Sequence, residues 1–269
     1  MRADLVPDDL WERVAPLLPP APERRRRHPG RLRVPDRVAL AGVLYVLRTG
    51  VAWRDVPAET VGCSGVTAWR RLRDWTEAGV WPRLHAALLS ELRRADLLDL
   101  DDFAVDGSHV RALKRGDHVG ASPVDRARPG SKHHLIVDRH GTPLAVTLTG
   151  GNRHDVTQLL PLLDTVPPIR GLRGRPRRRP RRLYADRDYD FDKYRRLLWK
   201  RGIKPMIARR GVAHGSGLGK VRWVVERAFA WLHQFKRLRI RYERRADIHQ
   251  GLLELACSLI CLRRLRTSF

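Results

Sequence analysis

Cysteine, methionine and acidic residues are all scarce in this chain. Its 269 residues include three cysteines, two methionines and 29 aspartates and glutamates, against 54 lysines and arginines. The odd cysteine count argues against a disulfide framework. With no signal peptide, Cys63, Cys257 and Cys261 fit a reduced, cytoplasmic chain. Cys257 and Cys261 lie four apart in an apolar stretch without a nearby His pair, which favours two core thiols over a zinc site. No uncharged apolar run is long enough to span a bilayer and no basic amphipathic anchor is present, so a membrane is not the expected partner. Internal repeats are absent too. The shortage of acids leaves a formal net charge of +25. Such a surface repels itself in the compact state and calls for a polyanion, of which a nucleic-acid backbone is the first candidate. Hydrophobic residues still make up 42% of the chain, enough to bury a core and to exclude wholesale disorder.

The first hundred residues read as helical. Asp8 can cap a helix with the apolar stripe Leu10, Trp11, Val14, Leu17 and Leu18. A Pro- and Arg-rich arm follows from Pro19 to Arg33. Helices are expected over Asp36 to Thr49, stopped by Gly50, over Trp53 to Thr60, over Ser64 to about Trp75, and from Trp81-Pro82 to about Asp96. From Asp101 the pattern changes. Strands are expected at Phe103–Asp106, His133–Asp138, Leu144–Thr149, Leu183–Asp186 and Lys204–Ala208, with His140-Gly141 as a hairpin turn. Helices are expected from Asp155 to about Leu163, Phe191 to Arg201, Lys220 to Phe235 and Asp247 to Leu265, the last strongly apolar. A Gly-rich loop, Gly211 to Gly219, precedes the third of these. A three-strand meander followed by strand, helix, strand, helix is the order of an RNase H-like domain. The expected fold is α/β: a helical, helix-turn-helix-like domain over residues 1–99, then an RNase H-like domain with a mixed five-stranded sheet over 100–269.

Asp106 and Asp186 fall at the ends of the first and fourth expected strands, which are neighbours in that order. Like charges held so close repel, and a divalent cation resolves the repulsion. Hard oxygen donors with open positions suit Mg²⁺. Asp188 and Asp190 are alternatives for the second position, but Asp186 follows directly on the apolar strand. His154 and Asp155 are further candidates, with helix capping the plainer role for Asp155. Glu226 lies on a helix whose apolar face is Val221, Val224, Val225, Ala228, Leu232 and Phe235. Arg222, Glu226, His233 and Arg237 form a polar line beside it. Taken alone, Glu226 reads as a solvated rim residue.

Six segments change that reading. They are Gly50-Val51-Ala52-Trp53-Arg54-Asp55-Val56-Pro57, Ser64-Gly65-Val66-Thr67-Ala68-Trp69-Arg70-Arg71-Leu72, Val105-Asp106-Gly107-Ser108, Thr149-Gly150-Gly151-Asn152-Arg153-His154-Asp155, Leu183-Tyr184-Ala185-Asp186-Arg187-Asp188-Tyr189-Asp190 and Arg222-Trp223-Val224-Val225-Glu226-Arg227-Ala228-Phe229-Ala230-Trp231-Leu232. In these the chain closely resembles bacterial insertion-sequence transposases of the group named after insertion sequence five, within the DDE class named after insertion sequence four. The resemblance implies that Asp106, Asp186 and Glu226 are the catalytic, metal-binding triad. It also implies two Mg²⁺ ions, with Mn²⁺ as a substitute, and a homodimer on double-stranded DNA in the bacterial cytoplasm, at the nucleoid. Three positions depart from the family pattern. Gly219 stands in place of a Tyr, His233 in place of a Lys, and Asp188 in place of a Gly. Only about 39 residues separate Asp186 from Glu226, which leaves no room for the all-β insertion of some relatives. A nuclease that cuts without joining strands, and an inactive DNA-binding regulator, are the alternative readings.

The helix from Ser64 is expected to bury Val66, Trp69 and Leu72 and to present Thr67, Arg70, Arg71 and Arg73 to a major groove, as the second helix of a helix-turn-helix. The tract Arg170 to Arg182 carries eight arginines in thirteen residues and no acid. Its Arg177, Arg178 and Arg179 are expected to clamp phosphates without reading sequence.

Overall fold

The computed structural model describes residues 5–21, 23, 27, 32–211 and 219–267, with the side chains of 219–221 left aside. Most of the arginines of the Pro19–Arg33 arm, and nearly all of the Gly211–Gly219 loop, lie outside the described residues. α1 (Asp8–Val14) tightens into a 3-10 turn over Ala15–Leu17, where Pro16 enters the backbone. α2 (Asp36–Thr49) starts behind Pro35 and stops at Gly50 in the left-handed region. The helix expected over 53–60 is split. Trp53–Asp55 is a 3-10 turn and α3 (Ala58–Val61) begins after Pro57, because proline pushes the residue before it, Val56, out of the helical region. α4 (Gly65–Glu77) is capped by Ser64, whose hydroxyl accepts the Thr67 amide, and α5 (Val80–Arg94) completes the helical half.

The sheet half runs β1 (Asp102–Ala112), β2 (Gly120–Ala121), β3 (Pro129–Asp138), β4 (Pro143–Gly150), α6 (Leu159–Thr165), β5 (Arg182–Ala185), α7 (Asp192–Lys200), β6 (Lys204–Ile207), α8 (Gly219–Gln234), β7 (Ile240–Arg241) and α9 (Ala246–Arg266). The five principal strands are ordered β4-β3-β1-β5-β6. β3 is antiparallel to both neighbours, and β1, β5 and β6 are mutually parallel. This is the RNase H-like sheet. β2 and β7 add two residues each, on β3 and β1, too short for alternation to reveal. α8 packs on β1 and β3, while α9 crosses to α4 and α5. One continuous apolar cluster therefore joins the helical half to the sheet, from Leu10 and Trp75 to Leu135, Val225 and Leu262. Cys257 and Cys261 are buried free thiols within it. Among the described residues no helix is long and apolar enough to cross a membrane.

Candidate active site

Strand register sets Asp106 beside Asp186. Along the parallel pair, Asp102 faces Arg182, Phe103 faces Leu183 and Ala104 faces Tyr184, and the same offset carries 106 to the level of 186. Asp106 is mid-strand rather than at a strand end as expected, because β1 continues to Ala112 against β3. What ends at this level is the pairing with β5, whose last residue is Ala185. The two carboxylates stand where the strands part.

Asp106 accepts the Gly107 amide at 2.8 Å, and Asp186 accepts the Asp188 amide at 2.9 Å, capping the turn Arg187–Tyr189. Burial pushes the Asp106 carboxyl up to about 6, and the charge of Asp186 pushes in the same direction. Asp186 is also raised, first by burial, with Arg222 pulling against it. Arg222 of α8 brings a guanidinium nitrogen to 3.9 Å from Asp106. Its Nε is buried without a hydrogen-bond partner among the described residues, as is the Tyr189 hydroxyl. Burial raises Tyr189 well above the ordinary range, and the charges of Asp155, Asp106 and Asp186 add to it. Asp190 is spoken for by Arg195 at 2.6 Å, and Asp188 is 74% exposed. That leaves Asp186, half-buried, as the acid of its segment at the level of Asp106.

Asp155 does not serve as a helix cap. The 3-10 turn it opens, Asp155–Gln158, has no side-chain cap. Its carboxylate instead takes Lys132 at 3.0 and 3.1 Å and lies 3.6 Å from His134 Nδ1. A Cβ on Gly107 would come 2.8 Å from Asp155 Oδ1, so glycine after Asp106 is what lets Asp155 close on the pair. Lys132 and Tyr189 carried no signal of their own in the sequence. Glu226 is exposed on α8, one turn beyond Arg222. Among the described residues no three His, Cys, Asp or Glu side chains are gathered tightly enough to hold one ion. The donor chemistry nevertheless suits a hard divalent cation. Two carboxylates are pushed up by burial and by neighbouring acids, and the Arg222 Nε and the Tyr189 hydroxyl have no partner among the described residues.

The basic residues sort into free and engaged. Arg70 is exposed on α4 and Thr67 is half-buried. Arg73 lies on Asp74 at 2.7 Å and over the Trp69 ring. Two expectations for α4 are corrected. Val66 is 54% exposed, and the inward stripe is Gly65, Ala68, Leu72 and Trp75. Arg71 points inward to Asp36 at 3.0 Å, 12% exposed. The cause is Gly65, which sits so close to the Trp53 carbonyl that a Cβ would lie 1.7 Å from it; this contact fixes the rotation of the helix.

Arg237 is corrected as well. α8 ends at Gln234, so Arg237 leaves the polar line and turns inward, 4% exposed, onto Glu243 at 2.6 Å and the Val51 carbonyl at 3.0 Å. His233 is half-buried, with Nε2 unpartnered and the ring 6.4 Å from that of His133. Burial lowers its pKa, so at neutral pH it offers no positive charge to a phosphate. In the arginine tract, Arg177 is tied to Asp101 at 2.6 Å and to the Leu100 carbonyl. Arg178 donates to the carbonyls of Val166 and Asp164. Arg179 is exposed and has no such tie among the described residues.

An RNase H-like sheet with two juxtaposed half-buried aspartates defines the class, that of enzymes built on this sheet with acids at its parting strands. Within it, the chain belongs to the transposase DDE domain family, whose model matches residues 98–261, and the model of putative transposases of the IS4/5 family matches residues 6–85. It is 66% identical to a putative transposase for insertion sequence element IS402 of Burkholderia cepacia over 148 residues, 55% of this chain and 70% of the relative. It is 54% identical to an uncharacterized 16.2 kDa protein of the same element over 124 residues, 46% of this chain and 84% of that protein. Among solved structures it is similar to the Mos1 strand transfer complex, at 12% identity and a TM-score of 0.34, with 90% of this chain and 79% of that one covered; so distant a likeness says nothing about the site.

Proposed function

We propose that this transposase binds the inverted-repeat ends of an insertion sequence, hydrolyses a phosphodiester there and joins the freed 3′-hydroxyl to target DNA. The reading rests on one observation above all, the half-buried Asp106–Asp186 pair with Arg222 against it. Without a counter-cation that pair is costly to charge, and shifted groups of this kind mark working sites. Asp106 and Asp186, with Glu226 from α8, would hold divalent cations, Mg²⁺ or Mn²⁺, which would supply Lewis-acid activation of the attacking and leaving oxygens.

The chain's own residues set the stage for both steps. Register fixes the two aspartates at one level, and the Gly107 and Asp188 amides orient their oxygens. Arg222 is placed to take a phosphate oxygen as DNA enters. Tyr189 supplies a hydroxyl with no partner among the described residues. Lys132 and His134 hold Asp155 close to Gly107. Residues 1–99 act as the end-binding domain, with Thr67, Arg70 and Arg73 on its outward helix, and residues 100–269 as the catalytic one. Holding two ends together implies a homodimer on double-stranded DNA, working on the chromosome in the bacterial cytoplasm.

The test is cleavage and joining of a donor carrying the element's inverted repeats. Asp106→Asn, Asp186→Asn and Glu226→Gln should each abolish both steps and leave DNA binding intact. Normal cutting by any one of the three would remove that residue from the triad.

A further inference from the structure

A second site lies at the other end of β1. A cleft of about 510 Å³ opens between the turn Trp53–Asp55, α4, the segment after β1 and the link from β7 to α9. Its apolar walls come from Trp53, Trp69 and Tyr242 and its charge from Arg54, Lys114 and Arg244. Arg237 backs two of the rings, 5.7 Å from the centre of Trp53 and 4.8 Å from that of Tyr242. The same guanidinium is bound to Glu243 and Val51, so these rings are held in place from behind.

Two of the cleft's cations are uncompensated. Glu243, its one acid, is consumed by Arg237. Lys114 and Arg244 are exposed and have no acidic partner among the described residues. The Arg54 side chain is 89% exposed, with Asp55 at 3.5 Å. Lys114 is eight residues past Asp106, on the order of 25 Å along an extended strand, so this is not part of the carboxylate site. A cavity of this size falls in the range that encloses a small molecule; it has room for one nucleotide and none for a duplex. Aromatic faces beside unpaired cations are what an unpaired base and its phosphates require.

We propose that this cleft binds one unpaired nucleotide of a DNA strand, its base against Trp53, Trp69 and Tyr242 and its phosphates on Arg54, Lys114 and Arg244. The proposal rests on the reading of the chain as a DNA transposase and adds where a base leaves the duplex. The test is binding of the full chain, without divalent cation, to a short duplex of arbitrary sequence, intact or carrying one unpaired thymine. The wild type should prefer the duplex with the unpaired base by about tenfold. Lys114→Glu with Arg244→Glu, both on the surface, should abolish this preference, as should Trp69→Leu. With 5-iodouracil as the unpaired base, photo-crosslinks should map to Trp53, Trp69 or Tyr242. Equal affinity for the two duplexes, a preference that survives the double charge reversal, or crosslinks elsewhere would overturn this site and leave the transposase reading standing. Failure to bind any DNA would overturn both.

Discussion

Two carboxylates near the same central strand meet opposite fates. Where β7 joins the far end of β1, Glu243 receives Arg237 at 2.6 and 2.9 Å on one oxygen and faces His249 Nδ1 at 3.3 Å on the other. A carboxylate can only accept, so His249 carries its proton on Nδ1, and its Nε2 accepts from His133 at 2.9 Å. Burial pushes Glu243 upward, yet these contacts pull it down to about 2. Half-way along the strand, burial acts on Asp106 in the same sense, and there nothing of that strength opposes it, so its carboxyl rises to about 6. One charge is completed from within the chain. The other is left open, and a carboxylate left uncompleted is where an external cation belongs.

Breaking the completed cluster should have the largest effect on stability. Arg237→Ala strands Glu243 as a lone buried charge and should cost about 3–5 kcal/mol, read by denaturant unfolding. Because the folded pKa of Glu243 lies below its unfolded value near 4.5, its stabilisation is present above that pH and fades as pH falls toward about 2. The gap between wild type and variant should therefore be full above about pH 4.5 and narrow as the pH falls toward about 2.

The open site should respond in the opposite direction. Asp106 has a folded pKa above its unfolded value of 3.8. Its contribution is full below that value and lost as pH rises through about 6. In chelator, Asp106→Asn should stabilise the protein in alkaline buffer by at most about 3 kcal/mol and not at all near pH 4. A destabilised variant at both pH values would mean that Asp106 is a structural residue like Glu243.

The same distinction between completed and open charge divides the surface arginines, with smaller effects. Arg70→Ala should lower affinity for the element's end by about 1–3 kcal/mol and leave stability unchanged. Arg71→Ala removes a half-buried ion pair with Asp36 and should lower stability, with little change in end binding. Reversed outcomes would exchange their roles.

How much of this was legible before the fold was known depended on distance along the chain. Alternation and apolar runs revealed the five principal strands, and the motif around each aspartate placed Asp106 and Asp186 on neighbours. What stayed hidden was set by contacts far apart in sequence. Arg71 meets Asp36 across 35 residues, and the Trp53 carbonyl turns α4 so that Val66 faces out. Arg237 follows the polar spacing of α8, but the helix stops three residues before it. β2 and β7 exist only because β3 and β1 offer them partners. Lys132 and Tyr189 belong to the site through Asp155, and no local pattern announces that meeting.

Calorimetric titration of Mn²⁺ into the wild type and into Asp106→Asn and Asp186→Asn, without DNA and at neutral pH, tests the central assignment most directly. The wild type should bind the cation and gain thermal stability from it, and both variants should lose binding and stabilisation together. Equal Mn²⁺ binding by wild type and either variant would contradict the carboxylate pair as the metal-holding heart of this transposase.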